Sequence, residues 1–181
     1  MKDHAILCDV NGTLGDCSNR SHFLDQEPRD WDSFFRHMAL DKPVDMVHRF
    51  INAQAEWPFY NKVLLVTGAP ERYRPLMVKW LEDNQVNYDK LFMRGDYQFV
   101  KGYQFKQKLY EEHLKEKYDI VLILEDKEEC AKLFRDLGLH CWLVATCPYP
   151  RKDAASPIPE STRATTRGRR QLNRGRAPKA R

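Results

Sequence analysis

At 181 residues with 42% apolar content, the chain is long enough for one ordinary folded domain plus an extension. Its net charge of +4 hides an asymmetry: residues 151–181 carry ten Lys/Arg against two Asp/Glu, a net of +8, which leaves residues 1–150 at −4. No apolar run approaches the ~20 residues of a membrane span, and five cysteines without a CxxC pair or a leader argue against a secreted disulfide scaffold and for reduced thiols in a cytoplasmic protein.

The first predicted strand is His4 to Cys8, an apolar run that ends on Asp9. A turn with two glycines follows, from Asn11 to Asp16. Cys17 to Lys42 is polar and reads as irregular, anchored by Trp31, Phe34 and Phe35. Asp41-Lys42-Pro43 carries helix-start signals, a capping acid and a proline in the first turn, for a helix to about Ala55. Lys62 to Val66 is a buried strand closed by Thr67-Gly68-Ala69-Pro70. Tyr73, Leu76, Met77, Trp80 and Leu81 recur at helical spacing between Glu71 and Asn84. Lys90 to Met93 is a short strand, and Tyr103 to about Glu116 an amphipathic helix. Tyr118 to Leu124 is the most apolar strand and runs into Glu125-Asp126. A helix over Glu128 to Leu137, ended by Gly138, and a strand over His140 to Ala145 complete the pattern.

Strands alternating with helices predict an α/β fold: an open, mostly parallel, Rossmann-like sheet with helices on both faces. The folded domain spans residues 1–150. Residues 151–181 are a basic tail, rich in Pro, Ser, Thr, Gly and Arg and too poor in apolar side chains to order itself. Trp80 and Trp142 are expected in the core, and the histidines as surface or satisfied groups.

Chemistry in such sheets gathers at the carboxyl ends of the strands. Three strands here end in polar groups: Asp9, Thr67 and Glu125-Asp126. A carboxylate beside a glycine turn can attack an electrophile, act as a base or hold a metal. Further acids at the same edge need a cation, and oxygen donors suit Mg²⁺. Thr67 and Gly68 offer a hydroxyl and backbone N–H groups to phosphate oxygens. With a nearby lysine, the set suits phosphoryl transfer through an aspartyl-phosphate.

Asp9-Val10-Asn11-Gly12-Thr13 resembles the opening signature of the haloacid-dehalogenase (HAD) phosphatases, Asp-x-Asp-Gly-Thr, with Asn11 in place of the second Asp. The order Asp9, Thr67, Lys106, Glu125-Asp126 matches that family's four stations. Asp16-Cys17-Ser18-Asn19-Arg20, Asp30 to Phe35, and Cys141 to Ala145 are similar to the 3′-phosphatase domain of phage-type polynucleotide kinase-phosphatases. The resemblance implies that Asp9 is the nucleophile and a Mg²⁺ ligand, and that Asn11 occupies the general acid/base position while its backbone carbonyl serves the metal. It implies that Thr67, Gly68 and Lys106 bind phosphate, and that Glu125 and Asp126 complete the metal site. Lys101 and Lys108 compete with Lys106 for its role. Ala69 stands where the family often has Arg, a role open to Arg72 or Arg74.

An amide can neither protonate a leaving oxygen nor activate water, so the resemblance implies weakened activity. Residues 16–61 are too few for a full cap, and such a minimal cap suits a phosphorylated nucleic-acid end better than an enclosed metabolite. The expected function is a Mg²⁺-dependent polynucleotide 3′-phosphatase. The alternatives are a silent HAD fold that binds phosphorylated nucleic-acid ends, and a small nucleotidase. The arginine clusters of the tail are candidate nucleic-acid contacts.

Overall fold

The computed structural model describes residues 2–56, 62–98 and 100–144. In chain order the elements are β1 (Asp3–Asp9), β2 (Gly15–Asp16), α1 (Trp31–Arg36), β3 (Lys42–Pro43), α2 (Asp45–Glu56), β4 (Lys62–Pro70), α3 (Arg74–Asp83), β5 (Lys90–Arg94), α4 (Gly102–Leu109), β6 (Tyr118–Glu125), α5 (Glu128–Asp136) and β7 (Cys141–Leu143). Short 3-10 turns over Ser18–Leu24, His37–Leu40 and Glu71–Tyr73, and a π-helical turn over Tyr110–Leu114, join them.

Five strands form one parallel sheet in the order β5-β4-β1-β6-β7. β1 lies at its centre, and its residues Ala5 to Asp9 are all buried. A continuous apolar run is what a strand covered on both faces requires. Alternate side chains then serve two cores. Ile6, Cys8, Val63 and Leu65 pack with Ile51 of α2 and Met77, Trp80 and Leu81 of α3. Ala5, Leu7, Leu64 and Val66 pack on the other face with Phe105 and Leu109 of α4 and Phe134 of α5. Each large aliphatic or aromatic side chain so buried contributes about 1.5–3 kcal/mol. Gly138, at φ +80°, ends α5 as its sequence position predicts.

Three expectations are corrected. Asp41-Lys42-Pro43 does not open a helix: Lys42–Pro43 is an edge strand antiparallel to Gly15–Asp16, a place where proline's missing N–H costs no ladder bond. The helix begins at Asp45. The stretch from Cys17 to Lys42 is not irregular throughout, since α1 forms there, capped by Asp30, whose carboxylate accepts the Ser33 N–H at 2.9 Å. Trp142 is not core: it is 59% exposed, because β7 is an edge strand.

Trp80 is buried as expected. Among the described residues the cysteines are free, and no helix is long and apolar enough to cross a membrane. The basic tail, residues 151–181, lies outside the described residues.

Candidate active site

β1 delivers Asp9 to the carboxyl edge, where a tight loop reverses the chain. The N–H groups of Leu14 and Gly15 both donate to the Val10 carbonyl, at 3.1 and 2.8 Å, and Gly12 N–H donates to the Gly15 carbonyl at 2.8 Å. Gly12 adopts φ +98°, which disfavours any side chain. A Cβ there would also lie 2.4 Å from Asp126 Oδ2. The glycine thus lets the carboxylate that follows β6 close onto the loop that follows β1.

Asp9 is buried, and one face of α4 supplies its counter-charge. Lys106 Nζ donates to Asp9 Oδ1 at 2.6 Å and also to Glu125 Oε2. Glu125 Oε1 accepts the Lys127 N–H at 3.2 Å. Thr13 Oγ1 lies 3.4 Å from Asp9 Oδ2. Lys106 is only 3% exposed; it is held there by its helix, whose Phe105 and Leu109 enter the core beside it. Lys101 instead caps the start of α4, and Lys108 is an exposed partner of Glu112.

β4 brings Thr67 to the same edge. Its hydroxyl accepts hydrogen bonds from Asn11 Nδ2 at 2.7 Å and from Ala69 N–H at 3.1 Å. Between Thr67 and Pro70 the pairing register with β5 slips, so Gly68 and Ala69 bulge from the ladder. A Cβ at Gly68 would meet nothing within 4 Å. The Thr67 hydroxyl and the bulged Gly68 backbone belong to the same stretch of the edge, where an anion could approach the backbone.

Asn11 is fixed from its other end by a residue whose role the sequence does not signal. Arg20 Nη2 donates to Asn11 Oδ1 at 2.8 Å. Arg20 itself is buried. It grips Asp41 through Nε at 2.8 Å and Nη2 at 2.6 Å, and donates Nη1 to the Phe34 carbonyl at 2.8 Å. Arg20 has only donors, so the amide of Asn11 must present its oxygen to Arg20 and its nitrogen to Thr67. Asp41, expected as a helix cap, is instead the counter-ion of this clamp. Burial pushes its carboxyl up, and Arg20 opposes that shift.

The acids are crowded and poorly solvated. Burial pushes Asp9 up to about 6, with Lys106 pulling it back and Glu125 adding to the rise. Burial pushes Asp126 up to about 8, helped by the neighbouring charges of Asp9 and Glu125. Burial alone would lower Lys106, yet Asp9 and Glu125 hold it well above its ordinary value, so it stays charged.

This donor set fits a hard divalent cation. Asp9, Glu125 and Asp126 each offer an oxygen, all within 4.8 Å of one another. Asp126 Oδ1 is buried without a hydrogen-bond partner, a costly state for a polar atom that a cation would relieve. Asp9 and Glu125 share the Lys106 ammonium in direct contact and Asp126 stands beside them without one, and the deficit is of the size a divalent ion neutralises. Both oxygens of Glu125 already accept hydrogen bonds, whereas Asp9 Oδ2 has only the long 3.4 Å contact with Thr13 Oγ1 and Asp126 Oδ1 has none, so Asp9 and Asp126 are the better-placed ligands.

The structure therefore brings together Asp9, Asn11, Thr67, Lys106, Glu125 and Asp126 at one edge, with Gly68 beside them. Sequence reasoning missed the Arg20–Asp41 clamp. The stretch around Arg20 stands out only through its resemblance to a family, since no periodicity marks a buried arginine in a polar segment.

Residues 3–149 match the family described as the polynucleotide kinase PNKP phosphatase domain, of the HAD type. A putative bifunctional polynucleotide kinase/RNA ligase of Autographa californica nuclear polyhedrosis virus is 26% identical over 141 residues, 75% of this chain and 18% of that protein. Among solved structures, a chain of the Pnkp1/Rnl/Hen1 RNA repair complex superposes with a TM-score of 0.66 at 26% identity, covering 79% of this chain and 42% of that one. The HAD-hydrolase YfnB of Bacillus subtilis, solved bound to magnesium, shares the fold at a TM-score of 0.54 and 14% identity, covering 88% of this chain and 92% of that one. The chain spans less than half the length of its polynucleotide-kinase relatives. It belongs to the HAD-type PNKP phosphatase domain family.

Proposed function

We propose that the chain is a Mg²⁺-dependent 3′-phosphatase of nucleic-acid ends, working through an aspartyl-phosphate on Asp9 and slowed by Asn11. The observation that carries the reading is Asp9 itself, a buried carboxylate locked by Lys106 and aimed at the edge where Thr67 stands. A pure binding fold has no need of such a group. Relatives whose names refer to polynucleotide kinases and RNA repair support the choice of substrate.

In this reading Thr67 and the Gly68 backbone receive the phosphate oxygens, and Lys106 keeps the dianion from being repelled by Asp9 and Glu125. Held by Asp9 and Asp126, with the Asn11 backbone carbonyl as a further oxygen donor, Mg²⁺ would supply charge neutralisation at the phosphoryl oxygens. An Asp9 carboxylate oxygen attacks phosphorus, and the bond from phosphorus to the sugar oxygen breaks. That oxygen leaves with the electron pair and requires a proton. Water then attacks the aspartyl-phosphate, releasing phosphate and restoring Asp9, and must give up a proton. An acid at position 11 would serve both transfers. The Asn11 amide can serve neither.

Asn11→Asp tests this. Hydrolysis of a 3′-phosphorylated oligonucleotide should accelerate by about 10²–10⁴-fold, the usual worth of general acid/base help. An aryl phosphate, whose leaving group needs no proton, should gain less. A folded, Mg²⁺-responsive Asn11→Asp chain that hydrolyses neither substrate would overturn the proposal.

One observation favours a second reading, a module that binds phosphorylated ends without turnover. Both ends of the Asn11 amide are satisfied, by Thr67 and Arg20, so the amide sits in a site well matched to it. The tail adds sequence-independent phosphate contacts in either reading, and a cytoplasmic setting suits the free thiols.

A further inference from the structure

Beyond Thr67 the sheet edge carries arginines that the site above does not use. Arg94 ends β5 and pairs in register with Pro70, three residues past Thr67. Its Nη1 donates to the Val100 carbonyl at 3.2 Å, but its Nε is buried without a partner. Among the described residues no carboxylate forms an ion pair with it. Burial, then the neighbouring charge of Arg72, lowers its pKa, so Arg94 is a cation beside a second arginine with no carboxylate of its own, whereas Arg72 is balanced by Asp96.

Arg72 lies in the turn that follows Pro70. Its guanidinium is 3.7 Å from Asp96, is half exposed, and sits 4.8 Å over the Tyr73 ring. Arg74, the other candidate to replace the arginine that Ala69 lacks, is occupied: it binds Glu71 through Nε at 2.7 Å and Nη2 at 2.6 Å. From Tyr73 an aromatic row leads outward, to Phe35 at 5.3 Å and on to Trp31, stacked on Phe35 at 5.9 Å. Phe35 and Tyr73 are buried, while Trp31 is 45% exposed. An indole at the outer end of a ring row whose inner end carries the half-exposed Arg72, with the carboxylate-free Arg94 beyond it, offers what a single strand of nucleic acid needs: cations for phosphate and a flat surface for a base.

We propose that Arg72 and Arg94 form a second anion subsite, which holds the phosphodiester next to the terminal phosphate of a single strand, and that Trp31 stacks a base of that strand. The inference rests on the polynucleotide 3′-phosphatase reading and adds to it: the site measures strand as well as terminus. β4 and β5 are neighbours in the sheet, about 4.8 Å apart, so the subsite is within reach of the nucleotide next to the one that reacts.

The test is binding in the presence of Mg²⁺, with Asn11 kept so that turnover is slow. The probes are a nucleoside 3′-monophosphate and a 3′-phosphorylated trinucleotide. The trinucleotide should bind about tenfold tighter or better. Arg72→Gln combined with Arg94→Gln should remove most of that advantage and flatten the salt dependence of trinucleotide binding by about 0.7 in log–log slope, one phosphate contact on a single strand. Monophosphate affinity should change less than threefold. Arg94→Lys should restore part of the loss, and Trp31→Ala should weaken the trinucleotide alone, by about five- to a hundredfold. Thermal melts of each variant establish that it is folded. Equal losses for both probes, or no loss for either, would overturn the proposal. So would a trinucleotide that binds no tighter than the monophosphate. Release of phenol from an aryl phosphate, which has no second phosphate, reports separately on the phosphatase reading.

Discussion

Asp9 and Asp126 set how the protein should respond to pH and to metal. Their folded values, about 6 and about 8, lie above the ~4 of an unfolded aspartate. Between those limits the folded chain keeps protons that the unfolded chain has released. The stability these groups contribute is therefore present at low pH and lost as pH rises through that window. A cation bound to the ionised carboxylates inverts the preference. The melting temperature of the ion-free chain should fall between pH 5 and pH 8, and Mg²⁺ should raise it more at pH 8 than at pH 5. Equal Mg²⁺ shifts at both pH values would contradict the assignment of these acids. At this scale the sequence is readable where a residue ends a strand. Asp9, Thr67 and Asp126 each follow an apolar run, and topology alone brings them together. Arg20 is not readable, because its partners Asn11 and Asp41 reach it only once the segment after β1 folds back on the sheet edge.

At the scale of elements, the loop between β1 and β2 is the least tolerant piece of the fold. Gly12→Ala would meet both a positive φ and the Asp126 carboxylate at 2.4 Å. The expected cost is about 1–3 kcal/mol, with each kcal/mol lowering the melting temperature by about 2–4 °C. Asp126 must move, so the Mg²⁺ response should shrink as well. Gly68→Ala, with open space around it, should melt like the parent. Similar melting losses for the two variants would mean that Gly12 is not the contact point described here. The strands and the helices over the sheet follow from apolar periodicity, so they are visible in sequence. The Lys42–Pro43 strand is not, since a two-residue pairing leaves no periodicity and its proline also suits a helix start. Trp142 misleads for a related reason: its strand reads as core, but its place at the sheet edge comes from the order of strands.

At the scale of the molecule, one sheet edge holds a buried carboxylate with its lysine, the bulge that follows Thr67 and an acidic pair, which the proposed reaction uses as nucleophile, counter-ion, phosphate seat and metal ligands. In the proposed reaction Asp9 becomes covalently phosphorylated. The direct measurement is the mass of the chain, quenched in acid after mixing with an aryl phosphate and Mg²⁺. With Asn11 in place, attack on a good leaving group proceeds while hydrolysis lags. One phosphoryl group per chain should appear on the peptide containing Asp9, in step with a burst of about one phenol per site. It should decay faster in Asn11→Asp and be absent in Asp9→Asn. Steady phenol release with no phosphorylated protein in either form, or a phosphoryl group on another residue, would rule out Asp9 as the nucleophile.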